Sequence, residues 1–409
     1  MNKYFKQQSC ISITMAVMLV AIDSASIAMS LHALPDIFAT ADFHGLISTK
    51  DSIILYSLCW GVYSIGVVIG SIMLGKLSDT FGRIPTLKLA LIGMVLGYTV
   101  LLIAILHHWF LVIIASRLLT GFFSITCPLT QTIAIDLSGH NEKTHHLNWI
   151  TLGYSIGFLI GPALIQLLNV FQVELVNHHL ILCAITMCCF NYITILNKQD
   201  VPKPIKTTTL NIVRHIQDIW PILAMLAINE IAYGLFCHMA PAILLNKGSF
   251  TLVSNSWFYS IIGISHIAGV LFLQENNQWL KHHRSFITHA TLISSVVFLL
   301  PISTNINWIF VTTVAICFLQ VGICNMLLSR ASQLTAKENQ GQAMGICSTV
   351  TFISYSLASP LPLLFTTYDP SIFIICSLCM LALSIYSQRS KYLSETYVTY
   401  EASTHKAIR

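Results

Sequence analysis

The sequence predicts an all-α polytopic membrane protein, and three observations support this fold class. Charged residues make up 9% of the 409 residues, whereas water-soluble domains carry roughly 25%. Hydrophobic residues make up 55%, and a soluble protein of this size could not cover its surface with so few charges. Apolar runs long enough to cross a bilayer as helices, which takes about 20 residues each, recur along the whole chain.

The apolar runs form a regular series of twelve predicted helices, with both termini in the cytoplasm. Cytoplasmic loops carry an excess of Lys and Arg, and in this orientation 18 of the 21 basic residues lie in cytoplasmic loops or tails. Lys50 and Lys247 lie outside, and Arg117 lies within a helix. We predict transmembrane helices at 10–33, 52–74, 87–106, 110–135, 147–169, 180–197, 218–241, 253–274, 286–303, 307–329, 341–362 and 366–387.

A long polar stretch, Asn197 to Asp218, divides the series into two groups of six. Apolar residues at 210, 213, 216 and 219 have helical spacing, so we expect an amphipathic linker helix along the inner membrane surface. The predicted units are an N-terminal six-helix half at 1–197, a cytoplasmic linker at 198–217, a C-terminal six-helix half at 218–387 and a cytoplasmic tail at 388–409.

Asp23 and Glu230 are the strongest candidates for chemistry. Asp23 lies nine residues before His32 in the first predicted helix, and Glu230 lies eight residues before His238 in the seventh, 206 residues after His32. Both acids are near the midpoints of their helices, where a charge costs about 2.5–3.5 kcal/mol. A carboxyl group that faces a water-filled cavity there can hold and release a proton. The alternative is a structural acid paired within the bundle.

A charged segment, Gly75 to Lys88, separates the second and third predicted helices. We expect a tight turn at the membrane surface, with Gly75 and Gly82 adopting backbone angles that other residues resist. Together with Asp79 and Arg83, these glycines form the pattern G-x-L-x-D-x-x-G-R. The pattern resembles the signature loop of the major facilitator superfamily of transporters. That resemblance implies two parallel six-helix repeats and a gating role for this loop.

Arg117 is the only base within a predicted helix, and the run from Arg117 to Gly121 resembles the superfamily's helix-4 motif R-x-x-x-G. A guanidinium stays charged, so it needs an anionic partner or a polar cavity. Asp23 lies at a similar depth and is the expected partner. The alternative is an arginine that snorkels to the outer surface.

The fifth predicted helix contains Gly153, Gly157, Gly161 and Pro162 in the pattern G-x-x-x-G-x-x-x-G-P. Glycines four residues apart make a flat face for close helix approach, and the proline bends the helix. Packing alone explains these residues, yet the motif resembles one associated with drug:proton antiporters. The departure is Ile165-Gln166, where a further Gly-Gly is usual.

Three further segments resemble the bicyclomycin/chloramphenicol-resistance group of those antiporters: Met29 to Pro35, Ala134 to Leu137, and Gly341 to Pro360. That group carries its helix-1 acid next to the methionine, where this chain has Ala28. The resemblance also implies a cytoplasmic latch. Asp79 would bind the N-terminus of helix 11, and Arg83 would pair with Asp136, until the two halves rock inward.

Several aromatic residues fall on helices that line the central cavity in this superfamily, and such residues can hold flat, lipophilic or cationic ligands. Packing or lipid contact is the alternative for each of them. His266 is interpreted as a hydrogen-bonded packing residue. The aromatic candidates are Tyr63, Phe122, Tyr154, Tyr233 and Tyr355.

The expected function is proton-coupled efflux of small organic molecules, of the drug or multidrug type, by a monomer in the bacterial inner membrane. We expect no enzymatic activity, no cofactor, no metal site and no nucleic-acid partner, because the sequence lacks a phosphate-binding loop and paired metal-ligand spacing. One alternative is a transporter of a single metabolite, such as a siderophore, sugar or amino acid, in either direction. The other is a membrane receptor that does not transport.

Overall fold

The computed structural model describes residues 13–29, 49–136, 143–170, 212–246, 252–276, 282–303, 305–335, 340–358 and 371–393. Within these ranges all regular structure is helical, which confirms the predicted fold class. The sixth predicted helix, 180–197, lies outside the described residues, so the total of twelve helices stays a prediction. The helices are α1 (Ile13–Met29), α2 (Thr49–Phe81), α3 (Arg83–Leu106), α4 (Phe110–Phe123), α5 (Thr126–Asp136), α6 (Lys143–Val170), α7 (Ile212–Asn246), α8 (Leu252–Glu275), α9 (His283–Val297), α10 (Ile306–Leu334), α11 (Gln340–Ala358) and α12 (Ile372–Arg389).

The helices have the length and surface of membrane spans. Nine helical segments in the described ranges are long and apolar enough to cross a membrane, and Ile13–Met29 and Ala343–Tyr355 are shorter apolar helices. Large apolar side chains lie on their outer faces, including Leu111 at 77% exposure and Val296 at 61%. Contiguous exposure of this kind is rare in soluble monomers. The protein is therefore a multi-pass membrane protein.

The turn between α2 and α3 is tighter than the sequence indicated. α2 continues as regular helix through Gly75 to Phe81, and only Gly82 separates it from α3. Gly82 has a φ of 104°, which glycine adopts far more readily than other residues. The expectation of a special backbone angle is confirmed at Gly82 and wrong at Gly75. We call the end of the bundle that carries Gly82 the turn end.

The fourth predicted helix is broken near its middle. α4 ends at Phe123 and α5 begins at Thr126, so Ser124 and Ile125 lie between two helices rather than inside one. Pro128 gives the physical reason. Proline has no backbone N–H, and its ring clashes with the carbonyl four residues earlier, which here belongs to Ser124.

The end of the predicted linker is helical, but it is not a separate amphipathic helix. α7 runs without interruption from Ile212 to Asn246, so residues 212–217 continue directly into the membrane helix. Residues 198–211 lie outside the described part of the chain. The amphipathic segment is thus the beginning of α7 over the residues that the structure describes.

Glycines set the closest helix contacts. Gly153, Gly157 and Gly161 of α6 all face α1, and a Cβ atom at Gly153 would lie 2.5 Å from the carbonyl oxygen of Val17. This confirms the predicted close approach and identifies α1 as the partner helix. A similar seam joins α2 to α4, where Gly66 faces the backbone of Leu118. Across the middle of the molecule, α6 packs on α8, and α2 and α5 pack on α11. Helices α1–α6 thus meet helices α7–α12, and we call these two groups the N-terminal and C-terminal halves.

Candidate functional site

A central cavity of about 200 Å³ lies between the two halves. Helices from both halves line it, and both predicted acids are among the lining residues: Asp23 from α1 and Glu230 from α7. Each acid is almost fully buried, at 4% and 5% exposure. The structure therefore brings together the two carboxyl groups that the sequence placed in different halves.

Asp23 is held by few hydrogen bonds. The hydroxyl of Ser124, in the break between α4 and α5, donates to the two carboxylate oxygens at 3.3 and 3.5 Å. Tyr63 of α2 donates to the Ser124 oxygen at 2.9 Å. The glycine face of α6 fixes the position of α1, because Gly157 packs against Ser24, the neighbour of Asp23. The Asp23 carboxylate thus lies beside two hydroxyl groups, those of Ser124 and Thr126.

Arg117 does not pair with Asp23, so the expected ion pair is wrong. In the described part of the chain no carboxylate lies within 4 Å of its guanidinium, and its Nε has no hydrogen-bond partner. Instead the guanidinium carbon lies 4.7 Å from the centre of the Tyr63 ring, and Arg117 is only 1% exposed. The alternative of snorkelling to the surface is therefore also wrong. A cation over an aromatic face is attracted by the ring quadrupole.

The spacing of the R-x-x-x-G motif has a direct structural explanation. Residues four apart lie on one face of a helix, and Gly121 packs against the backbone of Tyr63. That close contact lets Arg117, one turn earlier, lie over the ring of the same tyrosine. Arg117 is thus linked to Asp23 indirectly, through Tyr63 and Ser124.

Glu230 has a richer set of partners than Asp23. Its Oε1 atom accepts hydrogen bonds from Gln320 Nε2 at 2.9 Å, Cys324 Sγ at 2.7 Å and Asn229 Nδ2 at 3.4 Å. Gln320 and Cys324 are one turn apart on α10, so a single helix face presents both donors. Among the described residues Glu230 has no ion pair.

Four of the five predicted aromatic residues line the cavity: Tyr63, Tyr154, Tyr233 and Tyr355. Phe122 does not, and that prediction is wrong. Phe122 packs in an apolar cluster within the N-terminal half, and its backbone contacts Gly70 of α2. These contacts hold α4 against α2.

His266 of α8 lines the cavity and is 5% exposed. Its Nε2 lies 3.3 Å from the hydroxyl of Tyr233, which agrees with a hydrogen-bonded residue. Its Nδ1 has no partner among the described residues. One ring nitrogen of this buried, cavity-lining histidine therefore has no hydrogen-bond partner among the described residues.

The predicted pair between Arg83 and Asp136 is present at the turn end. Arg83 Nε lies 3.1 Å from Asp136 Oδ2, and the Arg83 guanidinium also pairs with Asp79 and with Ser78 Oγ at 2.8 Å. All four residues belong to α2, α3 and α5, so this cluster lies within one half. The expected contact of Asp79 with the N-terminus of α11 stays a prediction.

Sequence reasoning missed the partners of the two acids. Ser124, Gln320 and Cys324 are uncharged residues in apolar runs, where polar side chains also serve packing. Pro128 could have revealed the break at Ser124. Gln320 and Cys324 share a helix face in the tenth predicted helix, but nothing in one sequence shows which helix that face meets.

Curated relatives are similar to this protein at low identity over part of the chain. Tetracycline resistance protein class B of Escherichia coli is 26% identical over 153 residues, which cover 37% of this chain and 36% of that protein. A probable triacylglyceride transporter of Mycobacterium bovis (strain BCG / Pasteur 1173P2) is 28% identical over 148 residues, covering 35% and 29%. The matched segments thus span about a third of these relatives.

Solved structures match over nearly the whole chain. The human organic anion transporter MFSD10 (TETRAN) aligns with a TM-score of 0.75 and 16% identity, covering 93% of this chain and 99% of that one. A bacterial homologue of the iron transporter ferroportin, in an outward-facing state, aligns with a TM-score of 0.73 and 13% identity, covering 93% and 98%. At these identities the likeness shows the fold alone.

The sequence model of the Major Facilitator Superfamily matches residues 12–359, most of the chain and both halves of the described bundle. Together with a helical bundle whose halves enclose one central cavity, this match identifies the chain as a member of the major facilitator superfamily of membrane transporters.

Proposed function

We propose that this protein is a proton-coupled secondary transporter that exports small organic molecules, of the drug or multidrug type, by alternating access. The observation that carries the proposal is the meeting of Asp23 and Glu230, each nearly buried, at one cavity between the halves. Embedded ionisable residues in membrane helices mark ion or substrate pathways. The tetracycline-resistance relatives support drug export as the direction and class of transport.

The two acids have different roles in this proposal. Asp23 accepts from Ser124 only at long distances of 3.3 and 3.5 Å, so its carboxyl group is open to exchange between a proton and a substrate. Glu230 is held by three donors and takes part as the second proton-carrying group. Tyr63, Tyr154, Tyr233 and Tyr355 would contact the apolar part of a substrate.

The size of the cavity bears on the mechanism. Pockets that hold drug-sized molecules usually measure about 300–1,000 Å³, and this cavity is about 200 Å³. A substrate of that size therefore requires the halves to move apart. Such movement is what alternating access supplies.

The cellular setting belongs to the same proposal. The distribution of Lys and Arg supports both termini in the cytoplasm, and the efflux relatives support a bacterial inner membrane. Residues 1–197 and 218–387 would act as the two rocking halves. The chain would work as a monomer.

The test is transport in proteoliposomes with tetracycline and a panel of lipophilic drugs. Proton flux is followed with a trapped pH dye. Wild type should couple drug movement to a pH gradient, whereas Asp23→Asn and Glu230→Gln should lose gradient-driven accumulation by at least about tenfold. Glu275→Gln, an exposed acid at the end of α8, is the matched control and should keep wild-type rates.

Two further measurements separate the alternatives. Drug counterflow, which needs no net proton movement, should persist in Glu230→Gln, because Glu230 carries a proton but does not exchange it for substrate, and so show that this variant folds and binds. Undiminished gradient-driven accumulation by Asp23→Asn would contradict the proposal. Proton-driven uptake of a sugar, siderophore or amino acid would identify a single-metabolite transporter. If no compound is transported by wild type, and if the variants of both acids behave as wild type does, the result would favour a receptor.

A further inference from the structure

Three polar side chains join the two halves beside the cavity. Thr151 Oγ1 of α6 donates to Asn325 Oδ1 of α10 at 2.8 Å, and Asn325 Nδ2 donates to Asn148 Oδ1 of α6 at 2.8 Å. Asn148 and Asn325 are at most 1% exposed. We call these three residues the polar bridge. Because Asn325 uses both its oxygen and its nitrogen across the interface, the polar bridge holds α10 to α6 at a defined register.

The polar bridge lies toward the turn end of the cavity. Asn148 is in the first two turns of α6, which begins at Lys143, shortly after the helix that carries Asp136 ends. The salt bridge between Asp136 and Arg83 places that end of α5 at the turn end. Separation of the halves at the turn end therefore requires the polar bridge to open.

The residue before Asn325 binds the carboxylate of Glu230. Cys324 donates to Glu230 Oε1 at 2.7 Å, and Gln320, one turn earlier, donates to the same oxygen at 2.9 Å. Hydrogen bonds to a charged acceptor are roughly twice as strong as bonds to a neutral one. The hold of Glu230 on α10 therefore depends on whether its carboxyl group carries a proton.

We propose that α10 couples the charge of Glu230 to closure of the two halves, with Gln320 and Cys324 as positioning residues and the polar bridge as the closing contact. The ionised carboxylate binds Gln320 and Cys324 strongly and keeps Asn325 in register with α6. Protonation weakens that hold, so the polar bridge opens more readily. The inference rests on the proposed function, because it assigns to proton uptake the step that allows the turn end to open.

Other titratable groups also face Glu230, and the test must distinguish their contribution to a pH response from that of Glu230. Tyr154 of α6, Cys324 of α10 and Cys237 of α7 interact with its charge. From α8, His266 contacts Tyr233, one turn along α7, rather than the carboxylate itself. Across the cavity the other acid is Asp23. Of these groups, His266 and Asp23 require variants of their own in the test.

The experiment measures amide hydrogen exchange on the full-length protein in lipid nanodiscs. Segments 145–155 and 320–330 are followed at pH 8 and pH 6, with labelling times scaled for the intrinsic exchange rate. Wild type should exchange about fivefold faster at pH 6 in both segments, because one hydrogen bond of ordinary strength changes a local opening equilibrium by about that factor. Glu230→Gln should exchange fast at both pH values.

Further variants locate the coupling on α10. Asn325→Ala should also exchange fast at both pH values, since it lacks the polar bridge while Glu230 keeps its donors. Cys324→Ala should reduce the pH response, and Cys324→Ser, which keeps a donor, should restore it. Cys376→Ala removes a buried cysteine of α12 as the matched control and should respond as wild type does. Asp23→Asn and His266→Gln should likewise keep the response.

Two kinds of result would overturn the coupling. One is a wild-type pH response in Glu230→Gln, and the other is loss of the response in Cys376→Ala, Asp23→Asn or His266→Gln. Hydrogen exchange is measured without substrate, so the proposed coupling can be contradicted while drug export is intact. Conversely, absence of export with the expected exchange pattern would contradict the proposed function and leave the coupling supported.

Discussion

The two halves of the molecule each bring one acid to the cavity, but they surround it differently. Asp23 in the N-terminal half accepts from the Ser124 hydroxyl at 3.3 and 3.5 Å and also lies beside the Thr126 hydroxyl. Glu230 in the C-terminal half has three donors, the nearest at 2.7 Å. The Glu230 carboxylate is therefore held by closer hydrogen bonds than the Asp23 carboxylate.

The two halves also differ in the contacts made beside Arg117 and Phe318. In the N-terminal half, Arg117 lies over the ring of Tyr63. In the C-terminal half, the ring centre of Phe318 on α10 lies 5.5 Å from that of Phe272. Arg117 thus makes a charged contact with an aromatic ring, whereas Phe318 makes an apolar one.

The largest expected effect compares how tightly helices pack within each of the two halves. Gly157→Ala places a methyl group 2.3 Å from the carbonyl oxygen of Ala21 in α1, whereas at Gly234→Ala the nearest atoms are side-chain atoms of Ala358 and Tyr355 at 2.9 and 3.2 Å, and the nearest backbone atom is the Tyr355 Cα at 3.5 Å. Because backbone cannot yield as side chains can, we expect a loss of about 3 kcal/mol of unfolding free energy at Gly157 and about 1 kcal/mol at Gly234. Thermal and denaturant unfolding of the detergent-solubilised protein measures both.

The control for this pair is Gly61→Ala, since a methyl group there meets nothing within 4 Å. It should show no loss of unfolding free energy and a gain of up to about 1 kcal/mol, because alanine is the better helix former. Equal losses at Gly157 and Gly234 would show that the glycine seam of α6 gives the N-terminal half no special dependence on close packing.

An intermediate effect tests the buried cation. Arg117→Lys keeps the charge but loses the planar group that lies over Tyr63, so we expect a loss of about 1–2 kcal/mol in unfolding free energy. The same measurement on Arg284→Lys, an exposed position in α9, should show no change. Unaltered stability of Arg117→Lys would mean that the contact with Tyr63 contributes little to the unfolding free energy. Arg117 and Phe318 would then differ in residue type without a difference in stability.

The smallest effect concerns the turn end. In Asp136→Asn, Arg83 loses one charged partner but keeps Asp79 and Ser78, so the expected loss is below about 1 kcal/mol. The difference from wild type should shrink between 0.1 and 1 M NaCl, because salt screens partly exposed charges. A loss several times larger, or one insensitive to salt, would show that this cluster does more than stabilise the N-terminal half locally.

The sequence predicted the fold class, the two acids and the glycine face of α6, because each depends on composition or on spacing within one helix. Asp23 and Glu230 stand out as lone acids in long apolar runs, whatever their neighbours are. Likewise, glycines four residues apart indicate a flat helix face without naming its partner. The pair of Arg83 and Asp136 came from the family resemblance and is present.

Features that depend on the rotational orientation of each helix, and so on which neighbour a side chain faces, could not be predicted from the sequence. Arg117 and Asp23 lie at similar depths, which suggested a pair, but the guanidinium faces Tyr63 and the carboxylate faces Ser124. Phe122 and Tyr63 were equivalent as aromatic candidates, and only the packing of α4 on α2 turned Phe122 away from the cavity. The partners of Glu230 required knowledge of which face of α10 meets α7.

The interruption after Phe123 has a mechanical consequence. It divides one membrane crossing into two rods that share only Ser124 and Ile125 as a joint. One side of this joint touches the carboxylate of Asp23, and the far end of the second rod, eleven residues long, carries Asp136. A small rotation at the joint would grow over the length of that rod, so a rearrangement beside Asp23 would displace the end of α5 that carries Asp136.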